Sequence, residues 1–355
     1  MWKKLKSNKA AVSGLAIISL AIFVCIFGYL IAPDNTEDAD LQTVEIQSRG
    51  PGYTQEFLEL PAGNTVHKSK INAAFFGKTA PYKLLPIKGC TLTGDTIRVN
   101  KFVDEDTAVV QSYNINEITN GRPEKLQQYI IRKKFLLGTD AFGRDILSRL
   151  IIGTRVSMMV GLIAVIISLS VGILLGALAG YYRGKTDAAI MWLINVTWSI
   201  PTLPLVFAIT LALGKGFWQI FIAVGLTLWV SVARLVRGQV MAVKELEYVQ
   251  AARALGFTDS RIITRHILPN IMGPILVIAA GNFATAIIVE AGLSFLGIGV
   301  QPPQPSWGLM IKENYNLIIT HNAVQALIPG FAIMLLVMAF NLLGTGLRDA
   351  ADVRS

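Results

Sequence analysis

The chain has 355 residues, of which 53% are hydrophobic and only 15% are charged. Soluble domains carry about 25% charged residues on average, so this composition excludes an ordinary soluble protein and favours a membrane protein. The formal net charge is +9. The basic residues are spread over several short segments instead of one groove-lining element, which argues against nucleic-acid binding.

Six apolar runs are long enough to cross a bilayer, because about 20 apolar residues span roughly 30 Å of hydrocarbon. They are residues 10–32, 156–180, 188–213, 217–240, 271–295 and 324–343. The first follows the basic segment "MWKKLKSNK" and ends without an Ala-x-Ala-like cleavage site, so we interpret it as an uncleaved anchor helix. We therefore predict an all-α polytopic membrane protein with six transmembrane helices.

Residues 33–135, between the first two spans, contain almost no long apolar run. In "CTLTGDTIRV" apolar and polar residues alternate around Gly94-Asp95, and Asn120-Gly121 is a second turn signal. These patterns predict an inserted β-rich external domain, which is periplasmic in a bacterium. Residues 1–32 are then the N-terminus with the first helix, and residues 136–355 are the membrane core.

Lysine and arginine are distributed asymmetrically between the two sides of the predicted spans. If the N-terminus is inside, the short inner segments hold most of these residues, whereas the short outer connections hold only Lys215 and Lys312. Cytoplasmic loops are enriched in Lys and Arg. The asymmetry therefore predicts that both termini lie in the cytoplasm.

The segment "LGTDAFGRDILSRLIIGTRVS" precedes the second span. Its isoleucines and leucines recur at helical spacing from residue 146 to 151, with Arg144 and Arg149 on other faces. This pattern predicts an amphipathic helix lying at the outer membrane interface.

Three glycines at four-residue spacing, Gly172, Gly176 and Gly180, end the second span. Small residues at this spacing allow another helix to approach closely. Packing within the helix bundle and a dimer interface are both compatible with the pattern. The following "GYYRGKT" is not a phosphate-binding loop, because it has three residues instead of four between the first glycine and Gly-Lys-Thr.

The third span contains "WSIPTLPLVF", in which Pro201 removes a backbone donor near the middle of the membrane. Asn195 and Ser199 lie alongside. A partly polar, kinked helix suits a translocation path, and a purely structural kink is the alternative.

Glu290 is the only acidic residue within the six apolar runs. Carboxylates inside a membrane usually face a cavity or a partner, so Glu290 is a candidate for the translocation path. The alternative is a hydrogen-bonded structural carboxyl that orients the turn before "FLGIGVQPPQPSW".

The polar segment "YVQAARALGFTDSRIITRHILPN" lies between the fourth and fifth spans. Residues 249–255 are alanine-rich and predict a helix that Gly256 ends. Thr258 is a good N-cap for a second helix, which Pro269 is expected to close. A helix, a tight turn and a second helix favour docking in a cleft of another protein over a simple connection.

This segment resembles the EAA loop of bacterial ABC importer permeases, whose pattern is Glu-Ala-Ala, three residues, Gly, nine residues and Ile-x-Leu-Pro. Here Gln250 stands in place of the Glu and His266 in place of the first Ile. "LGTDAFGRDILSRLIIGTRVS" and "EAGLSFLGIGVQPPQPSWG" also resemble signatures of the second membrane subunit of the oligopeptide and dipeptide permeases, the peptide/nickel family.

The resemblance implies a type I ABC importer permease fold and a transport subunit that is not itself an enzyme. Its partners would be a sister permease, two cytoplasmic ATP-binding subunits, an external substrate-binding protein and membrane lipid. ATP and Mg²⁺ would be used by the partner subunits, with no cofactor or metal bound by this chain. Residues 241–270 would form the coupling loop, with ATPase contacts at Gln250, Ala251, Ala252, Arg253, Gly256 and Pro269.

Several functions stay open at this point. The substrate is expected to be a peptide, with nickel or another small solute as the alternative. An ion-driven secondary transporter would normally show inverted repeats with paired broken helices, and only one strongly interrupted span is visible. A membrane enzyme would have to use Glu290, His266 and Asp140, but the predicted topology places His266 and Asp140 on opposite sides of the membrane.

Overall fold

A computed structural model describes residues 2–62, 69–80, 82–119, 121–214, 216–319 and 323–351. Asn120 and Lys215, which entered the turn and charge predictions, lie outside these ranges. The chain divides into two compact units. The first comprises Met1–Ile22, Ser157–Gln301 and Phe331–Ser355, and the second comprises Phe23–Val156 and Pro302–Gly330. The second unit is therefore larger than the segment 33–135 that we predict to be an external domain.

The helices follow the predicted apolar runs. In chain order they are α1 (Trp2–Ser7), α2 (Lys9–Ile31), α3 (Lys70–Phe76), α4 (Ile115–Thr119), α5 (Ile146–Tyr182), α6 (Gly184–Trp198), α7 (Thr202–Leu213), α8 (Phe217–Lys244), α9 (Glu247–Ala254), α10 (Asp259–Arg261), α11 (Met272–Phe295), α12 (Trp307–Glu313) and α13 (Ala323–Ala351). Within the described ranges, five stretches are long and apolar enough to cross a membrane, namely α2, α5, α8, Asp259–Phe295 and α13. The pair α6 and α7 supplies a sixth if it counts as one span, although it is bent by 95°. The prediction of a polytopic helical membrane protein is thus confirmed, with five to six apolar helices.

Helices α5 and α8 of the first unit approach each other closely along a glycine face. Gly172, Gly176 and Gly180 are buried. A Cβ atom placed on each of them would lie 2.5, 2.5 and 2.7 Å from the nearest atom of α8. Real side chains do not tolerate such distances, so only glycine allows this spacing between the two helices. The glycines therefore serve packing within this chain, which was one of the two predicted alternatives.

The second unit contains an antiparallel sheet in the order β4-β3-β2-β1-β5. The strands are β1 (Tyr53–Pro61), β2 (Tyr82–Thr93), β3 (Thr96–Phe102), β4 (Ala108–Asn114) and β5 (Ile130–Phe135). At the predicted hairpin, Thr93 pairs with Thr96 across a two-residue turn, and Gly94 has a φ of 60°. Glycine adopts this left-handed conformation without strain. The β-rich prediction is confirmed, and the location of the sheet outside the membrane stays a proposal.

The prediction of an amphipathic helix at the outer membrane interface, before the second span, is wrong. Helix α5 begins at Ile146 and continues without a break for 37 residues. Arg144 and Arg149 are buried, with side chains 2% and 0% exposed. Arg144 Nε donates to Asp140 at 2.7 Å, and its Nη2 donates to Glu313 at 2.6 Å. Helical spacing cannot reveal these partners, since Glu313 follows Arg144 by 169 residues.

The buried ion cluster of the second unit consists of Arg144, Arg149, Asp40, Asp140 and Glu313. Burial by itself lowers the pKa of Arg144, but the Asp140 and Glu313 carboxylates outweigh it and raise that pKa above its usual value. Paired charges of this kind tolerate burial because each compensates the other. The polar face that suggested contact with the interface therefore lies inside the protein.

Candidate functional site

Helix α9 ends in a backbone motif that the sequence predicts. The Gly256 N–H donates to the Arg253 carbonyl at 3.0 Å, and the Phe257 N–H donates to the Ala252 carbonyl at 3.2 Å. Gly256 has a φ of 78°. This pair of hydrogen bonds around a left-handed glycine defines a Schellman motif. The predicted glycine stop is therefore present, and the chain turns sharply after α9.

The second helix of the segment begins where the sequence predicts but ends differently. Thr258 occupies the N-cap position, although its side chain makes no capping hydrogen bond. After Asp259 the chain passes through a π-helical stretch, Ile262–Ile267, and a 3₁₀ turn, Leu268–Ile271. The prediction that Pro269 closes the helix is wrong, since Asp259–Phe295 is one continuous helical stretch. Proline lacks the N–H of a regular α-helix, and the change of helix type at this point accommodates it.

One side of α9 packs on the core of the first unit. The side chains of Val249, Ala252 and Ile262 are buried in an apolar cluster with residues of α5 and α8. Tyr181, near the end of α5, also donates its hydroxyl to Asp259 Oδ1 at 2.6 Å. Ala252 is only 4% exposed. Its side chain therefore packs inside its own chain, and its contact with an ATPase stays a prediction.

Next to its buried side, α9 carries an exposed apolar stripe formed by Tyr248, Ala251 and Leu255, the residue that directly follows the helix; it is here called the α9 stripe. Tyr248 is 42% exposed and Leu255 is 75% exposed, and Ala251 is also exposed. Residues three and four positions apart lie on one helix face, so the three side chains are neighbours. Sequence reasoning singled out Ala251 but missed Tyr248 and Leu255, although their spacing of three and four residues was visible.

A polar groove of about 580 Å³ lies beside α9 and the end of α5. Its cations are Arg183, Lys244 and Arg253, and Arg183 forms an ion pair with Glu245 at 2.6 Å. The Gln250 side-chain amide donates to the Glu245 carbonyl at 3.2 Å. At the position where the resembling family has glutamate, this chain therefore places a neutral side chain that bonds to its own backbone.

The predicted path residues of the third span lie at the break between α6 and α7. Ser199 and Pro201 are exposed residues in this break, and the Ser199 hydroxyl donates to a carbonyl of the preceding turn at 2.7 Å. Asn195, one turn earlier, accepts a hydrogen bond from Arg234 Nη2 at 3.2 Å. The Arg234 guanidinium also stacks on Trp198, 3.6 Å from the ring centroid. The sequence analysis did not single out Arg234 as a site residue.

Glu290 lies in the interior of the first unit with no exposed surface. Its Oε1 accepts the Ser294 hydroxyl at 2.6 Å, and the Ser294 oxygen accepts the Val300 N–H at 3.0 Å. This chain of bonds connects α11 to the turn that follows it. The geometry favours the structural alternative for Glu290 over contact with a substrate.

The other acid–base groups that an enzyme would need have partners within their own units. Asp140 accepts from Arg144 in the second unit, and the His266 ring stacks on Phe257 in the first, with centroids 5.7 Å apart. Among the described residues, no group of three or more His, Cys, Asp and Glu side chains could hold a metal ion.

Comparisons with known proteins agree with this arrangement. Residues 172–354 match the family of the binding-protein-dependent transport system inner membrane component, and residues 1–49 match the N-terminal TM domain of oligopeptide transport permease C. The glutathione transport system permease protein GsiD of Pectobacterium atrosepticum is 43% identical over 216 residues, which are 61% of this chain and 71% of that protein. The oligopeptide transport system permease protein OppC of Bacillus subtilis is 40% identical over 220 residues, 62% of this chain and 72% of that protein.

A solved inward-facing structure of the MetNI methionine ABC transporter has 17% identity and a TM-score of 0.46, and it covers 57% of this chain and 96% of its own. That similarity is too low to support an argument about this protein.

The apolar helices and the family match define an integral membrane transport subunit and not an enzyme. More than half of the 355 residues match one family, so the chain belongs to the binding-protein-dependent transport system inner membrane components. It is a permease subunit of an ABC transport system. This membership removes the ion-driven secondary transporter from the alternatives.

Proposed function

We propose that this permease imports peptides across the bacterial inner membrane and is driven by a cytoplasmic ATPase that binds the α9 stripe. The peptide substrate is supported by the relatives, which are named for the transport of oligopeptides and glutathione. The charge asymmetry of the sequence supports cytoplasmic termini and a periplasmic location for the sheet of the second unit.

The docking proposal rests on one observation: one side of α9 is buried in its own chain, while another side is exposed. Its inner side is fixed by the apolar cluster and the Tyr181–Asp259 hydrogen bond, while Tyr248 and Leu255 stay exposed on the outer side. An exposed apolar helix face with a rigid backbone suits insertion in a groove of another protein. Among the predicted contacts, Ala251 belongs to this face, whereas the exposed Gln250 and Arg253 line the polar groove. Gly256 shapes the turn that ends the helix.

The remaining partners follow from the family and complete the proposed mechanism. A sister permease would provide the other half of the translocation path, and an external binding protein would deliver the substrate. Two ATP-binding subunits would bind ATP and Mg²⁺, and their closure would move the α9 segments of the two permeases. The exposed residues at the α6–α7 break would line the path within this chain.

Substitution of Leu255 by Glu tests the docking proposal. A carboxylate on the α9 stripe should stay unpaired in an apolar ATPase groove, so we expect weaker ATPase binding and a loss of uptake of about tenfold or more. The measurements are ATPase co-purification and labelled-peptide uptake in proteoliposomes. Leu92→Glu is the matched control, because Leu92 is 58% exposed and lies on the sheet of the second unit. Unchanged uptake and co-purification in Leu255→Glu would rule out docking through this face.

Competition experiments test the proposed substrate. Unlabelled dipeptides and oligopeptides should compete with labelled peptide for uptake by the complete transporter, whereas Ni²⁺ should not. Competition by Ni²⁺ alone would favour the small-solute alternative.

A further inference from the structure

Arg234 is a cation within a helix that is apolar enough to cross the membrane. It lies ten residues before Lys244 at the end of α8, which corresponds to about 15 Å along the helix axis. Three residues further on, Arg237 Nη2 is paired with Asp187 Oδ2 at 2.6 Å. By contrast, no acidic side chain in the described ranges lies within 4.0 Å of the Arg234 guanidinium nitrogens. Uncompensated charges in membrane spans usually mark a ligand or ion pathway.

The Arg234 guanidinium is held in a fixed orientation. Its Cζ lies over the Trp198 ring, 3.6 Å from the ring centroid, and Nη2 donates to Asn195 Oδ1 at 3.2 Å. Nε is buried without a hydrogen-bond partner, whereas Nη1 is not buried and makes no hydrogen bond with the described part of the chain. A guanidinium with a free Nη1 can donate a charge-assisted hydrogen bond to a carboxylate oxygen.

The surroundings of this guanidinium point to a water-filled space. Trp198 is 63% exposed and is the last residue of α6, directly before the 95° break. Ser199 and Pro201 in the break are exposed as well. Irregular backbone at membrane depth is tolerated only where it is buried in protein or lines a water-filled cavity. An anion in the proposed translocation path, which these exposed residues would line, could therefore reach Arg234 without entering lipid.

We propose that Arg234, oriented by Asn195 and Trp198, binds a carboxylate of the transported substrate, which for a peptide is the C-terminal carboxylate. This inference rests on the proposed peptide import. Asn195 and Trp198 act as positioning residues, because both contact the guanidinium and limit its orientation. The anion replaces the acidic partner that Arg237 has and Arg234 lacks.

The test uses the complete transporter with its ATPases, sister permease and binding protein in proteoliposomes. Uptake of one labelled peptide is compared in two forms, with a free C-terminal carboxylate and with a C-terminal amide. In Arg234→Gln we expect the uptake rate divided by KM to fall about tenfold for the free peptide and to change little for the amide. Each peptide is compared between wild type and variant with the same binding protein. Any preference of the binding protein for one peptide therefore does not affect the comparison.

Two further variants control for charge and for assembly. Arg237→Gln removes the same charge one turn away on the same helix and should leave the ratio between the two peptides unchanged. Arg234→Lys keeps the charge but loses the planar fork, so the ratio should fall to an intermediate value. Uptake is normalised to the amount of assembled complex, so that a folding defect does not imitate a loss of binding.

Three results would overturn the inference. An equal fall for both peptides in Arg234→Gln would show that the residue has only a structural role. A fall that occurs in phosphatidylglycerol vesicles but not in phosphatidylcholine vesicles would assign the site to lipid headgroups. If the wild-type transporter takes up neither peptide, the proposed peptide import fails and this inference fails with it.

Discussion

The segment around α9 and the buried ion cluster of the second unit are built in different ways. The turn after α9 is fixed by hydrogen bonds between residues three to five positions apart, such as the one from Phe257 to Ala252. The ion cluster joins Arg144 to Asp40 and Glu313, which are 104 and 169 residues away. Local signals predict the first correctly, while helical spacing misassigns the second to a membrane interface. Short-range hydrogen bonding can therefore be inferred from sequence, and long-range charge pairing cannot.

The largest expected effect is in the ion cluster. Arg144→Ala leaves the Asp140 and Glu313 carboxylates without their closest cation, and breaking a buried pair costs about 3 to 5 kcal/mol. Thermal unfolding of the purified protein in detergent should show a clear decrease in Tm. Arg98→Ala is the control, since Arg98 is exposed on β3 and its loss should change stability by less than about 0.5 kcal/mol. Equal stability of the two variants would mean that long-range pairing does not hold this unit together.

An intermediate effect is expected at the turn after α9. Gly256→Val forces a branched side chain into a left-handed conformation, which costs about 1 to 2 kcal/mol. Open space surrounds the position, so the cost comes from the backbone alone. Hydrogen–deuterium exchange of residues 247–258 should accelerate, and peptide uptake should fall without loss of the assembled complex.

Gly256→Asn separates backbone strain from side-chain size. Asparagine tolerates the left-handed conformation better than valine, so this variant should exchange more slowly than Gly256→Val. Equal exchange in both variants would contradict a purely local origin of the turn.

The smallest effect tests a side-chain hydrogen bond that joins the α9 region to a distant helix. Tyr181→Phe removes the donor to Asp259, with an expected loss of about 1 kcal/mol. Exchange of residues 259–267 should rise modestly. Tyr182→Phe is the control, because Tyr182 is 51% exposed. A larger effect of Tyr181→Phe than of Gly256→Val would show that the docking segment also depends on long-range contacts.

The approximate positions of the apolar spans and the hairpin at Gly94 could be predicted, because both depend on runs or pairs of neighbouring residues. The break at Pro201 was predicted as a kink, but its 95° angle was not, since a missing N–H permits a bend without setting its size. Arg234 was missed as a site residue because its partners, Asn195 and Trp198, lie on another helix. The burial of Ala252 was not predicted, because an alanine-rich helix does not reveal which side faces its own core.

The length of apolar runs, the charge asymmetry and the glycine stops are properties of neighbouring residues. The amino-acid sequence alone is therefore enough to predict that this is a membrane protein, roughly where its spans lie and where the chain turns after α9. The direction of each side chain depends on which helices pack together. Folding therefore made Ala252 a core residue, buried Arg149 without any exposed surface and brought Arg234 onto Trp198. The physical reason is that desolvation and ion pairing act between atoms close in space, however far apart they are along the chain.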